Sequence, residues 1–172
     1  MELKIKHGLS KTVITDTENK TLFIIKGTNF FKSGKIILSP DGTPVYSVMK
    51  ALKPLDHRDK YIFTDCISKN EFFAWIDRDI FKKRKSSPLY KCFLFSPLEI
   101  YIEAESFFGE LCIRRGGISE FDILINGSKH GSITNRKITC DTIDDAALLS
   151  VLYVFSTCIS RGEELCRTAD AI

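Results

Sequence analysis

Between Lys11 and Arg136 the apolar positions fall in short runs rich in β-branched and aromatic side chains, broken at roughly eight- to twelve-residue intervals by turn-forming clusters. That pattern predicts an all-β chain. In "KIILSPDGTPVYSVMK", Ile36 to Leu38 lead into Ser39-Pro40-Asp41-Gly42, where proline presets φ and glycine accepts a positive φ, and Val45 to Val48 alternate beyond it. A hairpin is expected there. Ser68-Lys69-Asn70 takes the same place in "KYIFTDCISKNEFFAWIDRDI", and Asn126-Gly127 in "FDILINGSKHGSITNRK" is among the strongest short-range hairpin signals. Further strands are expected over Thr21–Lys26, Leu89–Phe95, Glu99–Glu105 and Phe107–Arg115, giving about ten to twelve strands in all. Strands first and helix last argue against alternating βαβ units.

After Cys140 the period changes, and "IDDAALLSVLYVFSTCIS", Ile143 to Ser160, is the most apolar stretch of the chain. Thr142 and Asp145 resemble a capping box, and Asp141, Asp144 and Asp145 place negative charge at a helix N-terminus. A helix is predicted over about 142–161, with Gly162 as its stop. At 100° per residue Leu148, Leu149, Val151, Leu152, Val154, Phe155, Cys158 and Ile159 cover nearly the whole circumference, so this helix must be enclosed on every side. Ala146 to Ile159 would be roughly 21 Å long, against a hydrocarbon thickness near 30 Å, and charged residues flank both ends. That excludes a bilayer span. Ser150 and Thr157 can satisfy their hydroxyls on the carbonyl four residues back. Many antiparallel strands with one apolar face each, and one helix needing apolar contact all round, predict a mainly β fold: a closed antiparallel barrel of about twelve strands around a central hydrophobic C-terminal helix.

Composition narrows the function classes. A chain of 172 residues fits a single domain, 1–172, with strands over about 2–140, the helix over about 142–161 and a short tail, 162–172. The net charge of +3 is too small for a nucleic-acid-binding domain, so any cationic function must be local. Cysteines at 66, 92, 112, 140, 158 and 166 include no C-x-x-C pair, and they read as free thiols packed as small hydrophobes. "MELKIKHGLSKTVITD" has no apolar signal region, so an intracellular, cytoplasmic protein is expected.

The densest positive feature is "RDIFKKRKSSPLYK", with Arg78, Lys82, Lys83, Arg84, Lys85 and Lys91 and the interleaved Phe81 and Tyr90. It reads first as a solvated loop, then as a site for anionic lipid or phosphate, and least as a nucleic-acid site. "DHRD", Asp56 to Asp59, reads as an exposed turn rather than a metal or acid–base site; His7 and His130 lack a second ligand at metal spacing. No G-x-S-x-G elbow, P-loop or G-x-G-x-x-G is present. Alternation places Phe73 and Trp75 on one face of a strand, and packing inside the barrel against the helix is expected for Trp75 over a ligand platform.

The order of these elements resembles the tubby C-terminal-domain-like superfamily, and within it the LURP-one-related proteins and their bacterial relatives, with phospholipid scramblases more distant. "KIILSPDGTPVYSVMK" looks like the family's D-x-x-G turn followed by an aromatic-containing strand, and "FDILINGSKHGSITN" and "DDAALLSVLYVFSTCIS" complete the likeness over about residues 10–161. The resemblance implies a twelve-stranded barrel on a central helix. It also implies a domain at a membrane surface that binds anionic phospholipid, a phosphoinositide head group in particular, and scramblases are linked to calcium and lipid; the residues of this chain point to a non-enzymatic domain with no cofactor or metal. No EF-hand-like acidic loop is present, and no tubby phosphoinositide residue carries over to a position here. The alternative is a protein-interaction or scaffold domain without a lipid ligand.

Overall fold

The computed structural model describes residues 1–29, 32–50, 60–76, 99–102, 110–116 and 120–159. Twelve strands follow one another: β1 (Glu2–His7), β2 (Thr12–Thr15), β3 (Thr21–Asn29), β4 (Lys32–Leu38), β5 (Pro44–Lys50), β6 (Lys60–Asp65), β7 (Glu71–Ile76), β8 (Glu99–Ile102), β9 (Leu111–Arg115), β10 (Glu120–Ile125), β11 (Ser128–Thr134) and β12 (Lys137–Cys140). Each is antiparallel to the strands before and after it, and β12 pairs with β1, so the sheet closes into a barrel in chain order. The expected Leu89–Phe95 strand lies outside the described residues. Of the expected Glu99–Glu105 and Phe107–Arg115 runs, the described parts are β8 and β9.

The predicted turns form for the expected reasons. Gly42 takes φ +91°, and the Asp41 carboxylate accepts from the Ser39 hydroxyl, the Thr43 N–H at 3.2 Å and the Thr43 hydroxyl at 3.1 Å. These bonds, the Ser39 hydroxyl first, hold its carboxyl below the ordinary value. Asn126 and Gly127 have φ of 51° and 78°, the two positive values a type I′ hairpin needs. At the β6–β7 turn the positive φ of 65° falls on Lys69, and Asp65 Oδ1 stiffens the turn by accepting from the Ile67 and Ser68 N–H groups.

Inside the barrel runs α1 (Ala146–Tyr153), which continues as a π-helical segment, Val154–Ile159. All eight consecutive residues from Leu149 to Ser156 are buried, which covers more than two turns and leaves no solvent-facing side. The helix is therefore central. It packs on β3, β4 and β5, Phe155 meets Tyr61 and Phe63 edge-on at 5.9 and 6.0 Å between ring centroids, and the Tyr153 ring lies 6.4 Å from His7 of β1. Each large aliphatic or aromatic side chain enclosed this way contributes about 1.5–3 kcal/mol. Ser150 Oγ donates to Ala146 O at 2.7 Å, the back-bond expected of it.

Two expectations need correction. The helix starts at Ala146, capped by Asp145, whose Oδ1 accepts from the Ala147 and Leu148 N–H groups at 2.8 and 3.1 Å. Thr142 instead bonds His130 Nδ1 at 2.7 Å, because the chain must first leave β12 in the wall and turn inward before it can coil. The second concerns Trp75. Its neighbour Ala74 is fully buried and faces Tyr61, while Phe73 is 39% exposed, so Phe73 and Trp75 point outward. The inner face of β7 belongs to Phe72, stacked on Phe63 at 5.1 Å, and to the small Ala74.

Cys66, Cys112 and Cys140 are free thiols. Cys92, Cys166 and the tail 162–172 lie outside the described residues. Among the described residues no helix is long and apolar enough to cross a membrane.

Candidate functional site

An up-and-down barrel sends successive turns to opposite ends, so a charge in the sequence is sorted by which turn it sits near. The connections 16–20, 39–43, 66–70, 126–127 and 141–145 lie at one end, where the helix enters. The turns 8–11 and 135–136 lie at the other, the distal end, together with the strand termini Lys50 and Lys60, Ile76 and Glu99, and Arg115 and Glu120.

Charge divides along the same line. Among the described residues the distal half carries Lys6, Lys11, Lys26, Lys32, Lys35, Lys50, Lys60, Arg114, Arg115 and Arg136 against Glu99, Glu120 and Asp122, while Lys4 and Lys137 are register partners between the two halves. The entry half carries Glu2, Asp16, Glu18, Asp41, Asp65, Glu71, Glu110, Asp141, Asp144 and Asp145 against Lys20, Lys69 and Lys129. A net charge of +3 conceals this separation.

Four carboxylates of the entry end are committed to structure. Asp16 Oδ1 accepts from the Glu18 and Lys20 N–H groups at 2.9 Å each, Asp41 and Asp65 hold their turns, and Asp145 caps the helix. Tyr46, facing inward near this end, has its phenol pushed above the ordinary value by burial and then by the charges of Asp145 and Asp65. Among the described residues two ion pairs are resolved, Lys137 Nζ to Glu2 at 2.9 Å and Lys129 Nζ to Asp122 at 2.5 Å; at the distal end the Arg115 guanidinium lies 5.3 Å over the Phe121 ring. Lys6, Lys11 and Lys26 are exposed and make no ion pair among the described residues. The helix N-terminus, capped by Asp145, lies among acids, which suits its partial positive charge by about 0.3–1 kcal/mol for each well-placed charge.

The six cations singled out from the sequence, Arg78, Lys82, Lys83, Arg84, Lys85 and Lys91, lie outside the described residues, as does Asp56 to Asp59. The strand termini that flank the six, Ile76 and Glu99, both belong to the cationic end. The histidines join structure to structure. His7 Nε2–H donates to Asn135 O at 2.7 Å and ties two distal turns together, while His130 holds Thr142. Among the described residues no three His, Cys, Asp or Glu side chains converge on a metal-sized site.

The distal cations were missed because they are scattered singly through the sequence; turn parity is the signal that collects them. No family model matches the chain, and no curated protein matches it. A protein of Arabidopsis thaliana solved by X-ray crystallography is similar over 89% of this chain and 87% of that one, with a TM-score of 0.53 and 13% identity, a likeness of fold.

Proposed function

We propose that this chain is a non-enzymatic barrel of the tubby-like, LURP-one-related kind that binds anionic phospholipid head groups, phosphoinositides among them, at a cytoplasmic membrane surface. The observation that carries the reading is the division of charge between the two ends of the barrel. A surface studded with Lys and Arg gains about 1 kcal/mol per residue near an anionic leaflet, and the attraction fades beyond a Debye length of about 10 Å at 0.1 M salt. An acidic opposite end adds direction, because the reversed orientation is repelled. Arg78 and Lys82 to Lys85, which follow the distal terminus of β7 in the sequence, would add to the same surface.

Liposome co-sedimentation tests this. Wild type should bind vesicles containing phosphatidylserine or a phosphoinositide, ignore pure phosphatidylcholine, and release at high salt. Neutralising Lys82, Lys83, Arg84 and Lys85 together should weaken binding by about tenfold or more, given the value of each cation near the surface. Equal, salt-insensitive failure of wild type and variant to bind would overturn the proposal and favour the scaffold reading.

A further inference from the structure

The outer wall of a water-facing antiparallel barrel is expected to be polar at alternate positions. Over β5, β6 and β7 this rule fails in one place. Met49, Ile62 and Phe73 are register partners in a single row across the three strands, all pointing away from the helix. Met49 is 43% exposed and Phe73 39%, while their neighbours Val48, Phe63 and Ala74 fill the interior. One row toward the entry end, Ser47, Thr64 and Glu71 pair across the same strands and restore polarity. One row toward the distal end, Lys60 pairs with Trp75 and Trp75 with Tyr101, whose rings stack at 5.8 Å between centroids and 14° between planes. Beyond Tyr101 the row reaches Cys112 and Leu124, which are buried, so along this row the open apolar surface ends before β9.

The wall thus passes from polar, through apolar, to aromatic and cationic on approaching the distal end. From the apolar row outward to the distal end, these are the chemistries that a wall lying against a bilayer presents: apolar side chains in the acyl boundary, Trp and Tyr at the interface, and cations among the head groups.

We infer that the outer face of β5–β7, from Met49 to Trp75, is a surface that inserts into an anionic bilayer, so that this side of the barrel is wetted by lipid. The inference rests on the lipid-binding reading above and adds a hydrophobic component to it. The occupant is chosen by charge: the apolar row adjoins the cationic end and is separated from the acidic end by the Ser47–Thr64–Glu71 row.

Trp75 is the single tryptophan of the chain, which makes the test direct. Full-length protein is mixed with phosphatidylcholine–phosphatidylserine vesicles whose phosphatidylcholine carries bromine in its acyl chains. Trp75 emission should shift to the blue and be quenched on binding. A Met49→Ser, Phe73→Ser double variant, altered at exposed positions only, should keep the wild-type circular dichroism and partition about tenfold less, a factor that one large apolar side chain removed from water supplies. The loss should persist in high salt. Bound protein with unquenched Trp75, and a double variant that binds like wild type, would overturn the insertion while leaving the electrostatic proposal standing. Failure of wild type to bind any anionic vesicle would overturn both. A dimer in sedimentation velocity that the double variant abolishes would assign the face to a second copy and overturn the inference as well.

Discussion

Gly131 is a place where a single methyl group decides the fit of two strands. A Cβ there would lie 2.2 Å from Thr139 O and 2.9 Å from Cys140 Cα, both backbone atoms of or beside the β12 partner, next to the bulge that interrupts β10 and β11 at Ile123/Leu124. Backbone in a closed ladder cannot step aside cheaply. Gly131→Ala should therefore destabilise by about 1–3 kcal/mol, the usual cost of overpacking, as a lower urea midpoint with the slope unchanged. Gly27 is the matched control, since a Cβ at that strand position meets nothing within 4 Å, and Gly27→Ala should leave the midpoint nearly where it was. A Gly131→Ala protein as stable as wild type would mean that β11 and β12 sit further apart than described.

The central helix is the element on which the interior depends. Leu152 is fully buried and belongs to the same core as inward residues of strands around the whole barrel. Leu152→Asp would place an unpaired carboxylate there at a cost of several kcal/mol, comparable with the stability of an ordinary domain. The variant should be unfolded by circular dichroism and aggregated on gel filtration; a soluble, well-folded protein would show that the helix does not fill the barrel. This helix was legible in the sequence because its apolarity has no gap around the circumference, and a helix without a wet side demands a closed wall. Its first turn was less legible. "TCDTIDDAA" offers several capping residues, and only the path from wall to axis selects Asp145. The facing of β7 was illegible for a related reason. "EFFAWI" is apolar at both parities after Glu71, so the two-residue period that should orient a strand vanishes, and the choice falls to Tyr61, Phe63 and the nearby Phe155. Candidate chemistry followed a similar course: the eye finds a run such as Lys82 to Lys85, whereas Lys6, Lys11 and Lys26 become neighbours only after turns have been assigned to ends.

At the scale of the molecule, the barrel exists because its first and last strands meet. Glu2, Leu3 and Lys4 pair with Thr139, Ile138 and Lys137; the Ile5 N–H donates to Arg136 O and the Cys140 N–H to Met1 O. Deleting residues 1–7 would remove Leu3 and Ile5 from the core and expose β2 and β12 as edges, which invite pairing between chains. Light scattering that rises with protein concentration is the expected outcome, together with loss of the cooperative unfolding transition; a monomeric, cooperative truncation would mean that closure is dispensable. The position of α1 after β12 has a further consequence for biosynthesis. Every wall strand leaves the ribosome before the residues that fill the wall, and Phe155 meets partners, Tyr61 and Phe63, made some ninety residues earlier. Non-local contacts of this kind are slow to form, so the nascent chain passes through a hollow, adhesive stage, and holdase chaperones have their greatest purchase on it then.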